Sequence, residues 1–159
     1  QIATGTAAAT WMFIEWFGRG KPTAVGIATG AVAGLVAITP ASGSAGPMGA
    51  IAIGFVSSIV CYIFAVRVKA MFGYDDSLDV FGVHGVGGIF GTIMIAVFGA
   101  GAWAAQIGSL VIVGLFTVVV TVVLVKLVSL LTPLRVSEED EYTGLDLVAH
   151  GERAYDHTS

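Results

Sequence analysis

The stretch Asp79-Val-Phe-Gly-Val-His-Gly-Val-Gly-Gly88 decides how the rest of the chain is read. After Asp79 no formal charge appears until Lys126, and His84 is the lone ionisable side chain in that run. A second run, from Lys21 to Arg67, is equally free of charge. Each is twice the ~20 apolar residues that one membrane span needs. Each also contains a single breaker, Pro40-Ala-Ser-Gly-Ser-Ala-Gly-Pro47 in the earlier run and Phe98-Gly-Ala-Gly101 in the later one. Two runs with one break each give four spans. An apolar stretch from about Ile2 to Phe17 precedes them; it is too short for a full span and reads as the end of a truncated helix.

Composition agrees. Of 159 residues, 56% are hydrophobic and 11% charged, with a mean hydropathy of +0.91. A soluble domain carries roughly a quarter charged residues. One Cys excludes a disulfide framework, and no Cys/His group has zinc spacing. Seven Lys and Arg against eleven Asp and Glu leave no basic footprint for nucleic acid.

The expected spans are 2–17, 22–40, 47–71, 80–99 and 103–131. All five are read as helices, because backbone facing lipid must satisfy its own hydrogen bonds and no ~10-residue alternating segments suggest a barrel. Val118-Val-Val-Thr-Val-Val-Leu-Val125 has strand propensity, but its length and flanks favour a membrane helix. Arg19 and Lys21, Arg67 and Lys69, and Lys126 and Arg135 follow spans one, three and five, whereas the loops after spans two and four carry no Lys or Arg. The positive-inside rule then places the C-terminus in the cytoplasm and the N-terminus outside. An odd number of spans starting outside predicts that an N-terminal part precedes this segment.

Two regions follow: membrane helices over 1–134 and a cytoplasmic tail over 135–159. The tail holds seven acids and two Arg, a balance of −5, and leaves +1 for the other 134 residues. Ser137 before Glu138, Glu139 and Asp140 reads as a helix N-terminus, with acids favoured by the dipole. Gly144 interrupts it, and Leu145, Leu147 and Val148 supply a small apolar face.

Within the spans, Gly26, Gly30 and Gly34 recur every four residues and form a small-residue face for close helix packing, with pore lining as the other use. Gly87 and Gly91 form a similar face. His84 sits about one turn into span four. Ionisable groups inside membranes face a bundle interior or a pathway, and an imidazole both donates and accepts hydrogen bonds. It suits a polar solute, a proton relay, a metal or a structural role. Val80 and Gly88, four residues either side, share its face. Asp79 is expected to cap span four, and Glu15 to pair with Arg19 at i,i+4 near the interface. Trp11, Trp16 and Trp103 suit interfacial belts. Cys61 is mid-span and expected to be inert.

Four stretches carry a family resemblance: Trp11-Met-Phe-Ile-Glu-Trp16 with Gly20-Lys-Pro-Thr23, Gly30-Ala-Val-Ala-Gly-Leu-Val-Ala-Ile-Thr-Pro40, Asp79 to Gly88, and Gly144-Leu-Asp146 with His150-Gly-Glu-Arg-Ala-Tyr155. In order and over nearly the whole chain, they resemble the C-terminal half of the ammonium transporter family (Amt/MEP/Rh), its Amt branch above all. The resemblance implies an all-α bundle, about five spans of an eleven-helix fold, with a narrow pore in each subunit of a homotrimer. It implies that His84 is the second of two neighbouring pore histidines, that Val80 and Val32 line the pore, and that Asp79 is structural. The first pore histidine, the aromatic gate and the outer cation-recruiting site have no counterparts in this segment. Gly144, Asp146, His150, Gly151, Glu152 and Tyr155 would belong to a regulatory tail that docks on cytoplasmic loops, with a PII-type signal protein as partner. Where plant members carry a regulatory Thr, this chain has Val148-Ala149.

The function implied is ammonium or ammonia transport across the cell membrane, with deprotonation and a histidine proton relay and without a cofactor. Amt members of bacteria and archaea are generally electrogenic. Two other classes use the same residues: an ammonium sensor, and a redox membrane subunit with His84 as a haem or metal ligand. The spans hold no nucleophile–base pair and no carboxylate dyad, so no enzyme is expected.

Overall fold

The structure, a computed structural model, describes residues 1–98 and 100–153, and all regular structure among them is helical. The helices are α1 (Ile2–Arg19), α2 (Ala24–Ile38), α3 (Pro47–Phe72), α4 (Phe81–Val97), α5 (Trp103–Ser129), α6 (Glu138–Thr143) and α7 (Leu145–His150). The first five coincide with the five expected spans, and the Val-rich run lies inside α5. Helix α3 (26 residues) and α5 (27 residues) are long and apolar enough to cross a membrane. At 15 residues α2 is shorter than the expected 22–40, because the Pro40 breaker ends it early and residues 40–44 form turns.

The chain forms two compact units, Gln1–Val113 and Gly114–Ser159. In the first, α1, α2, α3 and α4 share a core. Trp11, Ala33, Cys61, Tyr62, Ala65 and Val83 form one cluster, and Ala37, Ala41 and Ile53 a second. The largest of these side chains is Trp11, 3% exposed and edge-on to Tyr62 at 5.2 Å. It therefore belongs to the core, not to an interfacial belt, whereas Trp16 and Trp103 are half-exposed.

The core is thin because small residues bring backbones together. Helix α1 buries Ala3, Ala7, Trp11 and Glu15, one residue per turn, against the Gly26, Gly30 and Gly34 stripe of α2. A Cβ on Gly30 would lie 2.5 Å from Cβ of Trp11, and one on Gly34 would lie 2.5 Å from the Ala3 carbonyl oxygen. The stripe thus packs against α1; it does not line an opening. Gly91 meets the Ala37 backbone and Gly54 the Ala3 backbone in the same way. Ser58 Oγ, fully buried, donates to the Ala7 carbonyl at 2.9 Å and ties α3 to α1.

Glu15 does not pair with Arg19. Its face is set by the four-residue register with Trp11, so it points inward, 4% exposed. There its Oε2 accepts from the Thr23 N–H at 2.7 Å and the Thr23 hydroxyl at 2.9 Å. Thr23 Oγ1 in turn accepts from the Gly26 N–H at 2.9 Å. In an ordinary capping box the third helical residue supplies the reciprocating carboxyl. Here that residue is Gly26, and α1 supplies the carboxyl across the helix pair; a Cβ on Gly26 would collide with it.

In the second unit, Ser137 Oγ accepts from the Asp140 N–H at 3.1 Å and caps α6 as the sequence suggests. Arg135 grips Glu141 through two bonds of 2.6 and 3.0 Å. This holds the Glu141 carboxyl below the usual carboxylate range. Gly144, at φ 102°, breaks the chain between α6 and α7.

Candidate functional site

The segment that carries His84 begins where α3 stops at Gly73, whose φ of 63° turns the chain. The Asp76 carboxyl then accepts from the N–H groups of Val80, Phe81 and Gly82 at 2.8, 3.0 and 3.4 Å. This corrects the expectation for Asp79: the side-chain cap comes from Asp76. Asp79 has a left-handed backbone, φ 53°, which turns its carboxyl away from the amides it was expected to serve, and the carboxyl pairs with the Lys69 ammonium of α3. Lys69 also donates to the Asp76 carbonyl at 3.1 Å, so one cation fastens both ends of the turn.

Next to this turn stand two π-helical turns, one in each helix. Ile63–Val68 of α3 and Phe81–Gly85 of α4 are both wound wider than an α-helix. They meet where Gly82 touches Ala65, whose backbone would lie 2.9 Å from an added Cβ. Cys61, one turn earlier on α3, donates its thiol to the Val83 carbonyl at 3.9 Å. Gly82, Val83, Val86, Gly87 and Gly91 form the buried side of α4.

His84 lies on the opposite side, exposed, with no hydrogen-bond or ion-pair partner among the described residues. Val80, 53% exposed, shares that side; Val32, 37% exposed, occupies the open side of α2 next to fully buried Ala33. Val80, His84 and Gly88 follow one another at four-residue spacing through this stretch. Four residues of α-helix overshoot one turn by about 40°, and the wider π turn drifts the other way. Beside Val80 lies a cleft of about 630 Å³, lined by Tyr74, Asp75, Asp76, Phe81 and Gly85. No three His, Cys, Asp or Glu side chains among the described residues come together to hold a metal ion.

In the tail, Asp146 lies in the first turn of α7 and its carbonyl accepts from the Glu152 N–H at 3.2 Å. His150 ends that helix, and Gly151, at φ 67°, caps it. Tyr155 lies outside the described residues.

The family model "Ammonium Transporter Family" matches residues 1–155. The chain belongs to the ammonium transporter family. It is 44% identical to an ammonium transporter of Bacillus subtilis over 175 residues, covering 97% of this chain and 43% of that protein. It is 45% identical to one of Aquifex aeolicus, covering 97% and 40%. Among solved structures it is similar to Candida albicans Mep2, with 31% identity, a TM-score of 0.69 and coverage of 87% and 35%. A double mutant of that protein matches with 26% identity, a TM-score of 0.74 and coverage of 99% and 43%. The chain therefore spans about two fifths of the length of the ammonium transporters it matches. Those relatives are named as transport proteins rather than enzymes, and a chain of this family with two helices of spanning length is a membrane protein.

Sequence reasoning missed Asp76, Thr23 and the inward role of Glu15. For Glu15 a signal was present: Ala3, Ala7, Trp11 and Glu15 recur every four residues, in step with the glycines of α2.

Proposed function

We propose that the intact protein conducts ammonium as ammonia through a narrow apolar pore, with His84 as part of a proton relay. The observation that supports this most directly is the unpartnered His84 imidazole on an apolar, uncovered side of α4, in a member of this family that spans two fifths of its relatives' length. The remaining part of the subunit covers that side. It places a second histidine beside His84, and Val80 and Val32 line the resulting passage.

The physical logic is one of desolvation. A cation moved unpaired into an apolar passage loses its hydration at great cost, whereas neutral ammonia loses little. Deprotonation outside, passage as ammonia and reprotonation inside avoid that cost. For net charge to move, the proton needs its own route, and paired imidazoles that donate and accept provide one.

The Lys and Arg clusters after α1, α3 and α5 set the orientation, with the tail in the cytoplasm. The subunit forms a homotrimer. The tail, Gly144 to Tyr155, docks on the basic loops near Arg19 and Arg67 and is where a PII-type protein acts.

The test is the ammonium-evoked current of the intact protein in proteoliposomes, with parent and His84→Ala side by side. A saturable parent current that potassium does not evoke, lost or altered in the variant, supports the relay. Equal currents with equal selectivity overturn it.

A further inference from the structure

The function proposed above uses His84 but not the features that hold it. His84 sits inside a π turn, and π turns are rare within helices and frequent at functional sites. This one is braced at three points by α3. The α3 helix widens into its own π turn at the same level, Ile63–Val68. Gly82 presses on the Ala65 backbone, so nothing larger than hydrogen fits between the two turns. The Cys61 thiol reaches the carbonyl of Val83, the residue bonded to His84, at 3.9 Å. Cys61 is fully buried, and its Sγ also lies 3.3 Å from where a Cβ on Gly87 would stand. Within the first unit, then, α3 touches α4 immediately before His84, two residues before it and three residues after it.

We infer that Cys61, Ala65 and Gly82 are positioning residues: together they fix the π turn of α4 and so the direction in which the His84 imidazole points. The inference rests on the pore role of His84. If the π turn relaxed to α-helix, the direction of His84 would rotate relative to Gly87 and Gly91, which stay anchored on α2 and α3. Four residues of α-helix advance about 400°, whereas the wider π turn advances less, so the imidazole would swing around the helix axis relative to those anchors. A relay imidazole so turned no longer meets its partner, and small misplacements of reacting groups are costly in rate. Cys61 acts through the Val83 carbonyl; it touches neither solute nor proton.

The experiment measures ammonium-evoked current against concentration and pH for the intact protein in proteoliposomes. The variants are Cys61→Ala, Cys61→Ser, Gly82→Ala and His84→Ala. Cys61→Ala is expected to lower the maximal current about two- to threefold, the weight of a weak S–H···O bond, with the half-saturating ammonium concentration unchanged. Cys61→Ser, which keeps a donor, is expected to recover most of that loss. Gly82→Ala, which drives a Cβ into the Ala65 backbone, is expected to lower the maximal current further than Cys61→Ala; should it not assemble, the two Cys61 variants decide alone. If Cys61→Ala matches the parent while His84→Ala loses current, the relay stands and the positioning inference is overturned. If Cys61→Ala and Cys61→Ser fall equally, Cys61 only fills space and the inference is also overturned. If His84→Ala conducts like the parent, the relay itself fails and takes the inference with it.

Discussion

The hydrogen bond between Thr23 and Glu15 joins two helices through a single carboxyl oxygen, and its worth can be isolated with a double-mutant cycle. Thr23→Ala removes two bonds: the cap to the Gly26 N–H at 2.9 Å and the bond to Glu15 at 2.9 Å. A cap contributes about 1 kcal/mol and a side-chain bond to a buried acceptor about 1–3 kcal/mol, depending on its charge. Glu15→Ala removes the bonds from the Thr23 N–H and hydroxyl and leaves that N–H unpaired at a helix start, again about 2–4 kcal/mol. The hydroxyl bond is lost in both variants. The double variant should therefore be less damaging than the sum of the singles, by about 1–3 kcal/mol. The assay is reversible unfolding of the purified intact protein, followed by the fluorescence of its tryptophans, with all four proteins compared. Additivity to within about 0.5 kcal/mol would refute the reasoning, since independent sites add to that accuracy. It would mean that Thr23 and Glu15 do not share a bond in the folded protein.

Other outcomes follow from neighbouring features. Gly34→Ala places a Cβ 2.5 Å from the Ala3 carbonyl oxygen and 2.7 Å from the Ala7 Cβ, so the intact protein should lose about 1–3 kcal/mol of stability from overpacking; unchanged unfolding would show that α1 and α2 are less closely apposed. Asp76→Ala should unprotect the Val80, Phe81 and Gly82 amides in hydrogen exchange at a cost of about 1 kcal/mol, whereas Asp79→Asn should leave those amides protected; the reverse pattern would return the cap to Asp79. In the tail, Glu141 titrates below its ordinary value because Arg135 holds it. The bond therefore favours the folded form fully above the ordinary carboxylate range and loses that advantage as pH falls through it to the lowered value. Exchange protection over 138–143 should fall in the parent as pH drops through the ordinary carboxylate range and below it, and this dependence should be weaker in Arg135→Gln.

Which parts of the molecule the sequence discloses depends on how far the responsible physics reaches. The helices from Ile2 to Ser129 are legible because charge-free runs and breakers act over a few residues, and because an apolar surrounding overrides the strand propensity of Val118 to Val125. The cap of α6 at Ser137 is legible for the same local reason. The partner of Glu15 is not, because i,i+4 pairing with Arg19 is only one of two local choices; the competing one is burial in step with Trp11, and that depends on the glycine stripe of another helix. Asp76 was passed over for Asp79 because capping rules assume an extended backbone at the cap, and the left-handed turn at Asp79 emerges only with the Lys69 pair. The π turns are not legible: Phe81 to Gly85 has no composition that marks them, and they stand where two backbones from different helices meet at Gly82 and Ala65. Of the residues proposed to line the pore, the placement of His84, Val80 and Val32 on open sides of their helices is visible in the structure. Their joint role is left to the currents described above.

The stripes on α1 and α2 have a repeat of four residues each, and a repeat of that kind does not by itself know where to stop. Slide one helix along the other by one period, about 6 Å, and bumps again fall into gaps: Ala7 meets what Trp11 met, and the glycines still accept them. Steric fit among the small residues alone therefore supplies a ladder of similar settings, told apart by the bulk of Trp11 against Tyr62. The polar rung at one end, Glu15 with Thr23, separates them further, because it exists in one setting only. In an apolar surrounding, where any other setting strands a carboxyl and a helix start, that rung works as the notch of a key: besides holding the two helices together, it tells one alignment from the next.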